Sequence, residues 1–219
     1  MKRSTLMVVA VVLALPVANG CSLNNRDKGA VIGATTGAAV GGVIGNQTGS
    51  TVRGAIIGAA IGGVGGAVIG HQMDQQAKEL QYQLPDATVT RVGEGITVVF
   101  PEGLLFAFDS DVVTPAAQLN LKKFADSMVK YPSTKSIIVG HTDAQGTDSY
   151  NLGLSERRAS AAAGFITEQG IDRARLGTVG RGSSEPIADN GTVVGREQNR
   201  RVEIAIVADE AFRRQVQSQ

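Results

Sequence analysis

Glycine recurs at every fourth position through two stretches of this chain: Gly29, Gly33, Gly37, Gly41, Gly45 and Gly49, then Gly54, Gly58, Gly62, Gly66 and Gly70. The segments GAVIGATTGAAVGGVIG (29–45) and GAIIGAAIGGVGGAVIG (54–70) align as an internal repeat, separated by the polar NQTGSTVR. Ala, Val and Ile stand between the glycines, where a flexible linker would carry Ser or Asn. A period of four sets the glycines along one slowly drifting stripe of a helix, where two backbones can approach closely. Such helices are poor in water, because each Gly costs about 1 kcal/mol relative to Ala. Something must therefore cover them. The reading is a helical hairpin over residues 29–70, each arm about 25 Å long against a hydrocarbon core of ~30 Å. The cover is left open among a membrane, further copies of the chain and the rest of the same protein. A spacer without fixed structure is the remaining alternative. No glycine run fits a nucleotide loop: GxxxxGK[ST] does not occur, and no GxGxxG follows a strand.

These stretches hold most of the glycine excess: the chain has 28 glycines among 219 residues, a share well above the usual ~7%. A net charge of +1 offers no electrostatic case for nucleic acid. Cys21 is the single cysteine, so no intrachain disulfide is available. Residues 1–20 account for it. Lys2 and Arg3 make a positive start, Leu6 to Leu15 form an apolar run too short to span a bilayer, and VANG leads into Cys21. This resembles the lipobox of bacterial lipoproteins, in which the acylated cysteine becomes the mature N-terminus; residues 21–28 are then a lipidated linker. One acyl chain holds a protein marginally, whereas two or more hold it stably. The alternative is a signal peptide cut near Cys21 that leaves a free thiol. Ser22 follows the cysteine, and by the same resemblance that sorts the protein to the outer membrane, facing the periplasm.

From His71 the composition changes, and residues 71–86 read as a linker with a short polar helix. ATVTRV and ITVVF, joined by Gly93-Glu94-Gly95, predict a β-hairpin, and LLFAF reads as another strand. Thr114 and Pro115 predict a helix start, as N-cap and first helical residue, with Leu119, Phe124 and Met128 inward and an end before Pro132. SIIVG (136–140) is a short buried strand, and a helix covers about Tyr150 to Gln169 with Gly170 as its stop. LGTVG is the next strand, 182–198 a polar loop, and RVEIAIV a last strand with Val202, Ile204 and Ile206 inward. The tail 208–219 is polar and loose. The order, βαβαββ after an opening hairpin, predicts an α+β sandwich over residues 87–207, with helices packed on one face of a mixed sheet. About 120 residues suffice for one core.

One stretch of that domain concentrates charge. Asp143 lies just beyond the buried strand, on the turn before the helix. Asn151, Ser155 and Arg158 stand at i, i+4 and i+7, so they share a helix face that leans toward Asp143. Arg200 shares the parity of Val202 and Ile204 on the last strand. A carboxylate and a guanidinium in one pocket suit a zwitterion, since Arg takes a carboxylate bidentately and Asp takes an ammonium. The same two groups can also simply pair with each other, because buried charges need partners. Sequence geometry leaves both open.

GHTDAQGTDSYNLGLSERRA (140–159) together with GREQNRRVEI (195–204) resembles the C-terminal domain of outer membrane protein A, the OmpA-like family, over about residues 95–207. The glycine stretch resembles the glycine-zipper segments of envelope lipoproteins, and the chain as a whole is similar to YiaD-type lipoproteins. The resemblance implies a domain that binds peptidoglycan through the diaminopimelate of the stem peptide, whose distal end is a zwitterion. It makes Asp143 and Arg158 the principal contacts, with Asn151 and Arg200 nearby. Asp109, Thr142, Leu152 and Asn199 match further pocket positions. The implied function is a non-covalent tether between outer membrane and cell wall, with the lipid on Cys21. The alternative is a glycine-zipper homo-oligomer acting in envelope assembly or stress signalling. His141 beside Asp143 and Ser155 invites a hydrolase reading, but the chain has two His, and no Ser sits on a sharp nucleophile turn. With no His/Cys cluster either, the expectation is a protein without catalysis, cofactor or metal.

Overall fold

The computed structural model describes residues 49–107 and 109–218. The signal peptide, Cys21 and the first glycine segment lie outside the described residues. A five-stranded sheet organises the rest: β1 (Thr88–Val92), β2 (Gly95–Pro101), β3 (Thr134–His141), β4 (Leu176–Gly180) and β5 (Arg201–Ala208), in the order β1-β2-β5-β3-β4. The β3–β4 pair is parallel and the others are antiparallel. Seven α-helices accompany it among the described residues: α1 (Thr51–Ala59), α2 (Gly63–Gln83), α3 (Glu102–Leu105), α4 (Pro115–Lys130), α5 (Asp148–Glu168), α6 (Val193–Asn199) and α7 (Glu210–Gln217).

The mixed α+β sheet is the expected one, and α2, α4 and α5 pack on one of its faces. Ile96, Val98, Phe100, Ile138, Val202, Ile204 and Ile206 point toward them and meet Met73, Leu80, Leu121, Phe124 and Ile166. The start of α4 follows its cap: the Thr114 side chain accepts from the Ala117 N–H at 3.1 Å, with Pro115 next. Its inner face differs from expectation. Ala117, Leu121, Phe124, Ala125 and Met128 form a stripe at helical spacing, which leaves Leu119 on the exposed side. LLFAF is not a strand. β2 ends at Pro101, which lacks an N–H for the ladder. The chain then turns through α3, and Phe106 keeps only an isolated bridge to Val113.

The second glycine segment is not one helix. α1 and α2 are separated at Ala60–Gly62, where Gly62 and Gly63 take φ of 66° and 64°, a region that favours glycine. α1 lies across the other face of the sheet, with Val52, Ala55 and Ile56 against Val139, Ala205 and Val207. The segment thus passes round the β1–β2 hairpin from one face to the other. At the crossing the Glu94 carboxylate of the hairpin turn accepts the N–H groups of Ile61 (2.8 Å) and Gly62 (2.7 Å). Burying Val52 and Ile56 contributes about 1.5–3 kcal/mol each, more than the ~1 kcal/mol lost at each of Gly54 and Gly58. The cover for this half of the repeat is therefore its own domain. No helix among the described residues is long and apolar enough to cross a membrane.

Cover on both faces explains why all eight residues of β5 are buried. The stretch read as a linker is the second half of α2, which sends Met73, Gln76, Ala77 and Leu80 inward. The tail is ordered too: Asp209 caps α7, and Val216 closes over Gly65.

Candidate functional site

Close contact between β3 and α5 sets the site. Gly140 gives β3 room to lie against the Ser155 backbone, where a side chain would collide. Beyond the strand, the Thr142 N–H donates to the Gly182 carbonyl (2.9 Å), and the Ser155 hydroxyl accepts the Gly182 N–H (2.9 Å). Asp143 accepts the Gln145 N–H at Oδ1 (2.9 Å), and the Asn151 amide donates to the Gln145 carbonyl (2.8 Å). Thr147 then caps α5. The acid is thus held by the turn that begins the helix, while Arg158 enters from its third turn.

Arg158 is only 2% exposed. Its Nε donates to the Ser110 carbonyl (2.8 Å), and its guanidinium lies 5.5 Å from the Phe106 ring centroid. Its Nη2 pairs with Glu102 Oε1. The other oxygen of Glu102 pairs with Arg200 Nε (2.8 Å), and Arg200 Nη1 reaches Asp143 Oδ2 (2.7 Å). Asp143 and Arg158 are therefore not bonded to each other. They end a chain of alternating charge, Asp143–Arg200–Glu102–Arg158, whose formal sum is zero. Burial works against the charge on Arg200, but its bonds to Asp143 and the field of Glu102 outweigh this and raise its pKa. A cleft of about 350 Å³ opens beside the chain, lined by Pro101, Glu102, Gly103, Phe106, Glu197 and Arg200.

The remaining expected residues fall in different places. Asn151 and Thr142 are buried beside Asp143. Leu152 is partly exposed on α5. Asp109 is exposed, takes a φ of 54° and accepts the Tyr150 hydroxyl, which raises the pKa of that phenol. Asn199 spends its amide on the preceding loop. It accepts from Ile187 (2.8 Å) and Ala188 (3.0 Å) and donates to the Ala188 carbonyl (2.9 Å) and Asn190 (2.8 Å). Glu102 was not anticipated. The signal was a charge balance: buried Arg158 and half-buried Arg200 facing one aspartate call for a second carboxylate.

His141 faces the other way, under α1, beside Arg201 and Glu203. Neither of its ring nitrogens has a hydrogen-bond partner among the described residues, and Glu203 is 3.8 Å away. Burial, then the charges of Arg201 and Arg181, push its pKa well below 6.5. Asp143 and Ser155 lie toward the opposite face, so the three are not assembled. At the edge of this second cluster, the Thr51 hydroxyl donates to Glu185 (2.6 Å) and accepts from Arg181 Nε (2.6 Å). No group of three or more His, Cys, Asp or Glu among the described residues is placed to hold a metal.

Residues 105–200, which carry the paired charges at the β3–α5 turn, match the OmpA family model. The YMGG-like Gly-zipper model matches residues 1–74. The chain is 36% identical over 139 residues to the probable lipoprotein YiaD of Escherichia coli, covering 63% of this chain and 64% of that one. It is 37% identical over 103 residues to the peptidoglycan-binding protein ArfA of Mycobacterium bovis, covering 47% of this chain and 32% of that one. It therefore spans only part of the curated relatives it matches. Among solved structures, the cell wall anchor of the T6SS from Pseudomonas aeruginosa is 30% identical with a TM-score of 0.54, over 63% of this chain and 97% of that one.

Proposed function

We propose that this protein binds peptidoglycan non-covalently through the diaminopimelate of the stem peptide. It thereby tethers the outer membrane, where Cys21 is lipidated, to the cell wall. The observation that carries this reading is that Asp143 and Arg158 are held apart at the two ends of one buried charge chain. The distal end of diaminopimelate presents an ammonium and a carboxylate, and each finds its counter-charge: Asp143 for the first, Arg158 for the second. Arg158 uses Nε and Nη2 internally and keeps Nη1 outside those bonds. Arg200 bonds the acid, Asn151 and Thr142 hold the turn that carries it, and Leu152 lies on the first turns of α5. Names among the relatives support the reading: a lipoprotein, a peptidoglycan-binding protein and a cell wall anchor. The test is pull-down on purified peptidoglycan and titration with a diaminopimelate-containing stem tripeptide. Asp143→Ala and Arg158→Ala, checked for fold by circular dichroism, are expected to lose binding. Wild-type affinity in either folded variant overturns the site.

A further inference from the structure

We propose that Glu102 is an internal stand-in for the ligand's carboxylate: it occupies Arg158 in the free protein and gives up that contact when ligand binds. The inference rests on the zwitterion reading of Asp143 and Arg158 and adds a residue that sets the affinity of that site. The two oxygens of Glu102 do different jobs. Oε2 holds Arg200, which in turn holds Asp143, whereas Oε1 alone holds Arg158. The Oε1 contact sits on the guanidinium that a ligand carboxylate needs. Breaking that one arm leaves the Asp143–Arg200–Glu102 part intact.

The surroundings permit the exchange. Glu102 opens α3 with its N–H fixed to the Arg200 carbonyl (2.9 Å), so the backbone stays put while the side chain turns. The adjoining cleft, with Gly103 open beyond it, receives the displaced oxygen. Arg158 does not move with it, because the Ser110 carbonyl and the Phe106 ring hold it independently. Charge favours the exchange for a zwitterion in particular. The four side chains sum to zero, so a ligand with no net charge enters without leaving an unbalanced ion in the buried site.

A site that is competent only when Glu102 is displaced binds more weakly by the fraction of time it is free. Titration of the full chain in detergent with L-Ala-D-Glu-meso-diaminopimelate tests this in wild type, Glu102→Gln, Glu102→Asp and Asp143→Asn. Glu102→Gln keeps the shape and removes the competing charge, and is expected to bind about tenfold tighter than wild type. Glu102→Asp keeps the charge but is too short to bridge both arginines, and is expected to fall between them. If Glu102→Gln does not fold, Glu102→Asp decides. Binding equal to or weaker than wild type in a folded variant, with Asp143→Asn still abolishing it, overturns the stand-in role and leaves the site standing. No binding by wild type or by any variant overturns both.

Discussion

Gly140→Ala tests the contact on which the site geometry depends. An added Cβ would lie 2.9 Å from the Ser155 carbonyl carbon, closer still to its oxygen, and 3.2 Å from its Cα. Ordinary carbon contacts fall at about 3.5–4.0 Å, so β3 and α5 must part by on the order of 0.6–1 Å. The opposing atoms are backbone, so no side chain can rotate away. Overpacking a core costs about 1–3 kcal/mol, and this position belongs at the top of that range, about 3 kcal/mol. With a urea m-value of roughly 1–3 kcal/mol/M, the midpoint falls by about 1–3 M. Urea unfolding followed by circular dichroism reads this directly. Gly103→Ala is the control, because its Cβ meets nothing within 4 Å; it should stay within about 0.5 kcal/mol of wild type. Parting the two elements also separates Asp143, on the β3 side, from Arg158, on α5, so the stem tripeptide should bind less tightly. A loss under 1 kcal/mol together with unchanged affinity would refute the argument that this close approach sets the spacing of the charges.

Two further predictions concern the face covered by α1. His141 is held neutral by burial among Arg201, Arg181, Glu203 and Glu185, with its pKa well below 6.5. Above pH 6.5 it is neutral in both states and costs nothing. As pH falls below 6.5 the unfolded chain takes up a proton that the native state refuses, so stability drops, by up to about 1.4 kcal/mol per pH unit. His141→Leu should flatten that part of the stability–pH curve, and parallel wild-type and mutant curves from pH 7.5 to 5 would contradict it. Glu94→Ala strips the carboxylate from the Ile61 and Gly62 N–H groups, at a cost of about 1.5–3 kcal/mol for charge-assisted bonds. Limited proteolysis should then cut near Ala60–Gly62 well before the sheet unfolds; equal cleavage rates in mutant and wild type would count against the clamp.

Local chemistry was legible wherever one residue type does one job. Thr114-Pro115 opens α4, Gly170 follows α5 at a φ of 92°, and the i, i+4, i+7 set of Asn151, Ser155 and Arg158 is buried together. Legibility ended where two elements share a residue. LLFAF looks like a strand because its apolar run carries no period, and only the pairing of β2 with β5 up to Pro101 shows where the ladder stops. The charge balance asked for a second carboxylate but could not single out Glu102, whose partners lie 56 residues away at Arg158 and beyond α6 at Arg200. The cover over the second sheet face had left a trace. On β5 the parity opposite to Val202 and Ile204 reads Arg201, Glu203, Ala205, Val207, half of it apolar, where a solvated face would be polar throughout. The glycine period did not reveal what covers the segment: Val52, Ala55 and Ile56 meet the sheet, while a Cβ at Gly62 of the stripe would meet nothing within 4 Å.

The clamp on Thr51 bears on how the proposed tether would take strain. Any pull arriving along the chain ahead of α1 lands first on Glu185 and Arg181. Gly182 adjoins Arg181 and is bonded to Thr142, next to Asp143. Thr51, at the start of α1, and Asp143 thus lie at one corner of the domain, a few hydrogen bonds apart. In the proposed tether, tension between membrane and wall would cross that corner before it reached the strands of the sheet.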